Sequence, residues 1–232
     1  MTWSHSQINR LGDRIRDAGL GDGDRGKLLE YRATFVPAYE RVVADISKAL
    51  PDLKVTGRPE KTPDSIVAKL RRTKIELARM QDIAGCRLNV ERIRQQDDVV
   101  GRLIEVFPEA RVIDRRARPS FGYRAVHVIP TINDRQVEIQ VRTLLQALWA
   151  NQSERLADVV GTDLKYGVVV PGDMRYERAA GLLARSSAMI ATLEESEMGD
   201  GLFDDLFSEL PDRLNALVGA FVTIMTFAME AS

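Results

Sequence analysis

At 232 residues, with 44% hydrophobic and 29% charged side chains, the chain is long enough for one large domain or a domain with a helical extension, and it can bury a real core. Its formal net charge of −1 argues against a generic polyanion binder, so any nucleotide or nucleic-acid site has to come from local clustering of Arg and Lys. The single cysteine, Cys86, excludes an intramolecular disulfide and a multi-cysteine zinc site, and with only His5 and His127 a His-rich metal centre is not expected either. The N-terminal MTWSHSQINR lacks the apolar region of a secretory signal. The longest apolar run, Leu214 to Met229, contains Asn215, Thr223 and Thr226 and is short for a membrane span, so it reads as a buried or interface helix. The expectation is a reduced cytoplasmic setting with no membrane partner.

In chain order, residues 5–18 form a short amphipathic pattern that stops at Gly19. Residues 21–28, GDGDRGKL, approach the phosphate-loop pattern but fail it. Leu28 stands where a Ser or Thr would hold magnesium, no strand precedes the segment, and Asp22 and Asp24 would repel phosphate. A solvated loop before a helix is expected there. Leu28, Leu29, Tyr31, Phe35, Tyr39, Val42, Val43, Ile46 and Leu50 have helical periodicity, with a kink or new start at Pro37. Residues 51–61 read as extended chain or loop. Thr62-Pro63-Asp64 then opens a helix, with Thr62 as N-cap, proline at the first helical position and an acid in the first turn. Ser65, Lys69 and Arg72 fall on one face of it, and Ile66, Val67 and Leu70 on another. With Arg58 and Lys61 just upstream, the polar face suits a triphosphate as well as solvent.

Residues 82–91 read as a strand with Cys86, Leu88 and Val90 inward, Arg87 and Asn89 outward, and Asp82 at its start. A helix spans 93–107, and Val112 to Asp114 is a short strand. A basic loop with Arg115, Arg116 and Arg118 follows. Tyr123 to Thr131 and Gln136 to Arg142 should form a hairpin about the turn Ile132-Asn133-Asp134-Arg135. Val137, Ile139 and Val141 take one face of its second strand, and Gln136, Glu138, Gln140 and Arg142 the other. That polar face is either a solvated side of a half-buried strand or a grip for a phosphorylated ligand. A helix begins at Leu144, and further helices are expected at about 174–197 and 203–230. The order of elements implies an α+β (α/β) class with a mixed sheet and helical extensions. Residues 1–54 form an N-terminal helical segment, 55–160 the core, and 161–232 a C-terminal helical extension.

Two carboxylates on separate strands amid many cations is the equipment of magnesium-dependent phosphoryl chemistry. In their order and spacing, KTPDSIVAKLRR, QDIAGCR, GYRAVH and EIQVRT followed by LWA resemble the synthetase domain of the RelA/SpoT proteins, above all the small stand-alone alarmone synthetases. The resemblance covers about residues 55–150. It implies a nucleotidyltransferase-like fold with a mainly antiparallel sheet flanked by helices. It also implies transfer of the β,γ-pyrophosphate of ATP to the 3′-hydroxyl of GTP or GDP, with release of AMP, in the presence of Mg2+. On that resemblance Asp82 and Glu138 are the catalytic, metal-binding acids, with Glu138 also activating the hydroxyl. Arg58 and Arg87 sandwich adenine, Lys61, Ser65, Lys69 and Arg72 cradle the ATP phosphates, and Tyr123 stacks on the acceptor base. His127, Gln140 and Arg142 lie on the acceptor side, with Arg116 and its neighbours suited to acceptor phosphates or to a tRNA end.

Two departures bear on the acceptor. Ala147 stands where the family commonly has Asp or Asn, and Ser153-Glu154 where it has Glu-His. Both weaken guanine as the acceptor base. They leave open a toxin branch, in which the acceptor is the 3′-terminal adenosine of tRNA or an adenosine nucleotide and the partner is an antitoxin protein. A catalytically silent nucleotide- or RNA-binding regulator is the reading from another class, and the retained acids count against it. Small synthetases of this kind often assemble as homo-oligomers.

Overall fold

The computed structural model describes residues 3–167 and 172–196. The expected helix at 203–230 and the apolar run 214–229 lie outside the described residues. Three helices lead: α1 (His5–Ala18), α2 (Asp22–Ala33) and α3 (Val36–Ala49). Ser4 and Gln7 close a capping box on α1, and Gly19 ends it in a positive-φ conformation. Residues 21–28 are not a loop. They are most of the first two turns of α2, because Asp22 and Asp24 sit in its first turn, where the helix dipole favours negative charge, and Arg14 bonds Asp24. Pro37 lies in the first turn of α3, as a helix start requires.

Then come β1 (Thr56–Arg58), α4 (Pro63–Thr73), β2 (Ala84–Val90), α5 (Ile93–Val106), β3 (Arg111–Asp114), β4 (Val126–Ile129), β5 (Thr131–Ile132), β6 (Arg135–Thr143), α6 (Leu144–Val160) and α7 (Met174–Ser196). Among the described residues the strands form one sheet in the order β1-β2-β6-β4-β3, with β5 paired to β6. The mixed, mainly antiparallel sheet flanked by helices is the expected fold class. β1 pairs antiparallel to β2, Thr56 opposite Arg87 and Arg58 opposite Gly85. The hairpin turn is tight: Asn133 and Asp134 both have positive φ, as a two-residue turn between twisted strands demands. Its first strand is shorter and more broken than expected. Pro130 has no N–H to donate, so β4 ends at Ile129, although its carbonyl still accepts from Val137 N–H.

The described chain forms two compact units. The first comprises residues 3–88, 99–112 and 127–140. Its core holds Ile8, Leu11, Ile15, Leu28, Phe35, Val42, Ile46, Ile66, Leu70, Ile83, Cys86, Val137 and Ile139, all at most 2% exposed. α1 lies close on the turn at Leu77, where a Cβ on Gly12 would meet Leu77 Cβ at 2.7 Å. The second unit comprises residues 89–98, 113–126, 141–167 and 172–196. There α6 and α7 bury Leu145, Trp149, Leu156, Leu164, Tyr176, Leu183 and Ile190 together. Among the described residues no helix is long and apolar enough to cross a membrane.

Candidate active site

The first unit gathers most of the predicted site residues. α4 begins at Thr62, whose hydroxyl accepts from Ser65 N–H, and this first turn fixes the direction in which Lys69 projects. Lys61 is held separately, its N–H donating to Ile83 O. Both ammonium groups converge on Asp82. Lys61 Nζ lies 2.8 Å from Oδ2 and Lys69 Nζ 2.8 Å from Oδ1. Burial pushes the Asp82 carboxyl up, but the two lysines outweigh it and bring its pKa down to about 2. Ser65 is half-buried beside Thr62, and Arg72 is exposed at the helix's far end.

A second chain of contacts runs along β6 and β2. Glu138 Oε1 lies 3.1 Å from His127 Nδ1, and Gln140 Nε2 donates to Glu138 Oε2 at 2.6 Å. Arg87 Nε donates to Gln140 Oε1 at 3.4 Å. Burial raises the Glu138 pKa and so does the charge of Asp82. The hydrogen bond and charge of His127, with the Gln140 amide, prevail and hold it below its ordinary value. Glu138 is therefore ionised at neutral pH although its side chain is only 13% exposed. Gly85 permits this closeness: a Cβ there would come within 3.0 Å of Glu138 O. Arg58 and Arg87 are both exposed and, from the β1–β2 register, lie on one face as diagonal neighbours. Burial raises the Cys86 thiol pKa to about 12, and its side chain belongs to the core.

The second unit carries the remaining predicted residues. Arg142 Nη2 donates to Tyr123 Oη at 2.8 Å, and the guanidinium carbon lies 5.0 Å from the ring centroid. Arg116 is held by Asp97 at 2.6 Å and Asp114 at 2.7 Å. Burial opposes its charge, yet the two acids outweigh burial and push its pKa up. Ala147 and Ser153, at the two departures from the family pattern, are 8% and 6% exposed within α6.

Sequence reasoning missed a group on α7. Ser187 Oγ donates to Gly122 O at 2.7 Å and accepts from Arg124 Nε at 3.3 Å. Glu194 accepts from Thr143 Oγ1 and from Gln146 Nε2. These partners are 48 to 65 residues away along the chain, and no local pattern marks them.

The chain and its fold match known proteins. Residues 57–157 match the model described as "Region found in RelA / SpoT proteins". An uncharacterized protein of Mycobacterium tuberculosis is 32% identical over 207 residues, which is 83% of this chain and 75% of that protein. The crystal structure of small alarmone synthetase 1 from Bacillus subtilis is 26% identical, with a TM-score of 0.52, over 77% of this chain and 95% of that one. A GTP pyrophosphokinase family protein from Streptococcus pneumoniae is 26% identical, with a TM-score of 0.54, over 80% of this chain and 96% of that one. The chain belongs to the RelA/SpoT family of nucleotide pyrophosphokinases.

Proposed function

We propose that this chain transfers the β,γ-pyrophosphate of ATP to the 3′-hydroxyl of GTP or GDP, forming a guanosine alarmone and AMP. The observation that carries the reading is the pairing of two differently held acids: Asp82 between two ammonium groups, and Glu138 between His127 and Gln140. The first resembles a phosphate and metal pole, the second a positioned base.

In this reading the acceptor 3′-oxygen attacks the β-phosphorus as its proton passes to Glu138. The bond from that phosphorus to the α–β bridging oxygen breaks, and AMP leaves with the electron pair. The depressed pKa of Glu138 keeps it unprotonated and ready to accept. His127 and Gln140 each hold one of its oxygens, so its orientation is set before substrate arrives. Lys61 just before α4, and Lys69 with Ser65 and Arg72 on that helix, would bind and neutralise the triphosphate. Arg58 and Arg87, on one face of β1 and β2, would take the two sides of adenine, and Tyr123 with Arg142 the acceptor base and its charge.

The donor set also fits Mg2+. Asp82 and Glu138 are close enough for the charge of one to act on the other, and among the described residues no group of three His, Cys, Asp or Glu side chains is placed to form a protein cage. Magnesium takes one or two carboxylates and completes its shell with water and phosphate oxygens. When bound it would polarise the phosphate oxygens and offset charge developing on them.

A second acceptor is favoured by one observation. Ala147 is packed within α6 and presents only a methyl group where a polar side chain would read guanine. That supports the 3′-terminal adenosine of tRNA, or an adenosine nucleotide. Incubation with ATP labelled in the β or γ phosphate and separate acceptors decides between them. Label on GTP or GDP, with AMP released, is the expected result. Label on tRNA but not on GTP or GDP would sink the alarmone reading, and no AMP release with any acceptor would favour a silent binding protein.

A further inference from the structure

The second unit holds Tyr123 and Arg142 against each other, yet neither side chain is placed by its local backbone alone. Tyr123 lies in the loop between β3 and β4, where Ser120 and Tyr123 exchange backbone hydrogen bonds. Gly122 has φ +91°, and a Cβ on it would meet Trp149 Cζ2 at 2.6 Å and Ser187 Cβ at 3.2 Å, so the loop is pressed onto α6 and α7. Ser187, 3% exposed, grips it from both sides, donating to Gly122 O and accepting from Arg124 Nε. Arg124 in turn donates to Arg116 O.

The other end is built in the same manner. Arg142 is followed at once by Thr143, the N-cap of α6, which forms a capping box with Gln146. Glu194 of α7, 5% exposed, accepts from both Thr143 Oγ1 and Gln146 Nε2. Gln96 completes the network, donating to Val141 O at 2.8 Å and to Gln146 Oε1 at 3.0 Å. Between the two anchors Trp149 Nε1 donates to Leu183 O, locking α6 to α7. The grips therefore bracket the Tyr123–Arg142 pair, one beside each partner.

We infer that α7 is a two-point clamp that sets the Tyr123–Arg142 pair for the acceptor nucleotide, with Ser187 and Glu194 as positioning residues. The clamp rests on the reading of Tyr123 as the acceptor-stacking side chain. α7 itself lies outside residues 57–157, the stretch that matches the family. A buried hydrogen-bonded network of this kind specifies one arrangement, and removing one partner leaves the others unsatisfied.

The test compares wild type with Ser187→Ala, Glu194→Gln and Tyr123→Ala. It measures KM for ATP and for GDP (or for tRNA, where the labelling assay gives that product), with hydrogen exchange over residues 120–124. Ser187→Ala should raise the acceptor KM roughly tenfold while the ATP KM stays within about twofold, and exchange in the loop should accelerate. Glu194→Gln keeps the side chain's shape and should raise the acceptor KM about threefold, so the proposal stays testable where Ser187→Ala folds poorly. An unchanged acceptor KM in both variants, with Tyr123→Ala raising it, overturns the clamp alone. A parallel rise in both KM values also overturns it, because general loosening then explains the loss. An unchanged acceptor KM in Tyr123→Ala overturns the acceptor reading of Tyr123, and with it the clamp's role in binding.

Discussion

Asp82 and Glu138 are both half-buried acids that remain ionised, but they differ in what holds them, and this separates their predicted behaviour. Asp82 is ionised in the folded state down to about pH 2, below the ordinary carboxylate value of 3.8. A depressed folded pKa contributes stability that is full above the unfolded pKa and is lost as pH falls through the folded one. The contribution is on the order of 2 kcal/mol. Urea unfolding of wild type and Asp82→Asn should therefore differ most above about pH 4, and the difference should close as pH falls from 4 towards 2. Glu138→Gln removes a charge that His127 and Gln140 hold in the folded state, so it too should cost stability above the unfolded carboxylate pKa, even though the amide oxygen can still accept from Gln140. It should lower kcat by roughly 10²- to 10⁴-fold in an AMP-release assay. Full activity in that variant would remove Glu138 as the base. Gly122→Ala combines a positive φ with a 2.6 Å approach to Trp149 and should cost about 2 kcal/mol or more in thermal or chemical melts. Cys86, with its thiol raised to about 12 and its side chain in the core, should resist thiol reagents until the protein unfolds.

At the scale of elements, α4 is the one whose local signals are plainest, and its polar face is the proposed phosphate cradle. The cap, the proline and the first-turn acid at residues 62–64 start it, and its own periodicity turns Ile66 and Leu70 inward and the cations outward. Thr62→Ala should cost about 1 kcal/mol of stability. It should also weaken ATP binding without a matching loss of acceptor binding, which separate KM measurements would show. β6 was equally legible, since its alternation set Val137, Ile139 and Val141 in the core and Glu138 on the other face. The start of α2 was not, because two acids at a helix N-terminus look like a solvated loop until the dipole and Arg14 are counted. The hairpin's first strand was also overextended, because a single proline ended the ladder at Ile129.

For the whole molecule, the family-matched stretch 57–157 leaves out core residues of both units. The first unit takes Ile8, Leu11, Ile15 and Leu28 from α1 and α2, and the second takes Leu183 and Ile190 from α7. A fragment limited to 57–157 would expose both partner surfaces and should be insoluble or bind a hydrophobic dye, while the full chain should unfold cooperatively.

What the chain's own order determined was the class of fold and the parts of the site that lie on regular elements. Caps, period-2 and period-3.6 patterns and charged faces are local, so Lys69, Arg87 and Glu138 could be placed on a helix face and strand faces from their neighbours alone, while Asp82, expected at the start of a strand, lies in the turn two residues before β2. The tertiary structure decided which groups meet. Lys61 and Lys69 share Asp82 across 21 and 13 residues of sequence, and Arg87 reaches Gln140 across 53. Ser187 and Glu194 look like ordinary helix residues until folding carries α7 onto the loop at Gly122 and the cap at Thr143. The physical reason is that a hydrogen bond is specified by the position of both partners, and only chain packing brings distant partners within hydrogen-bond distance.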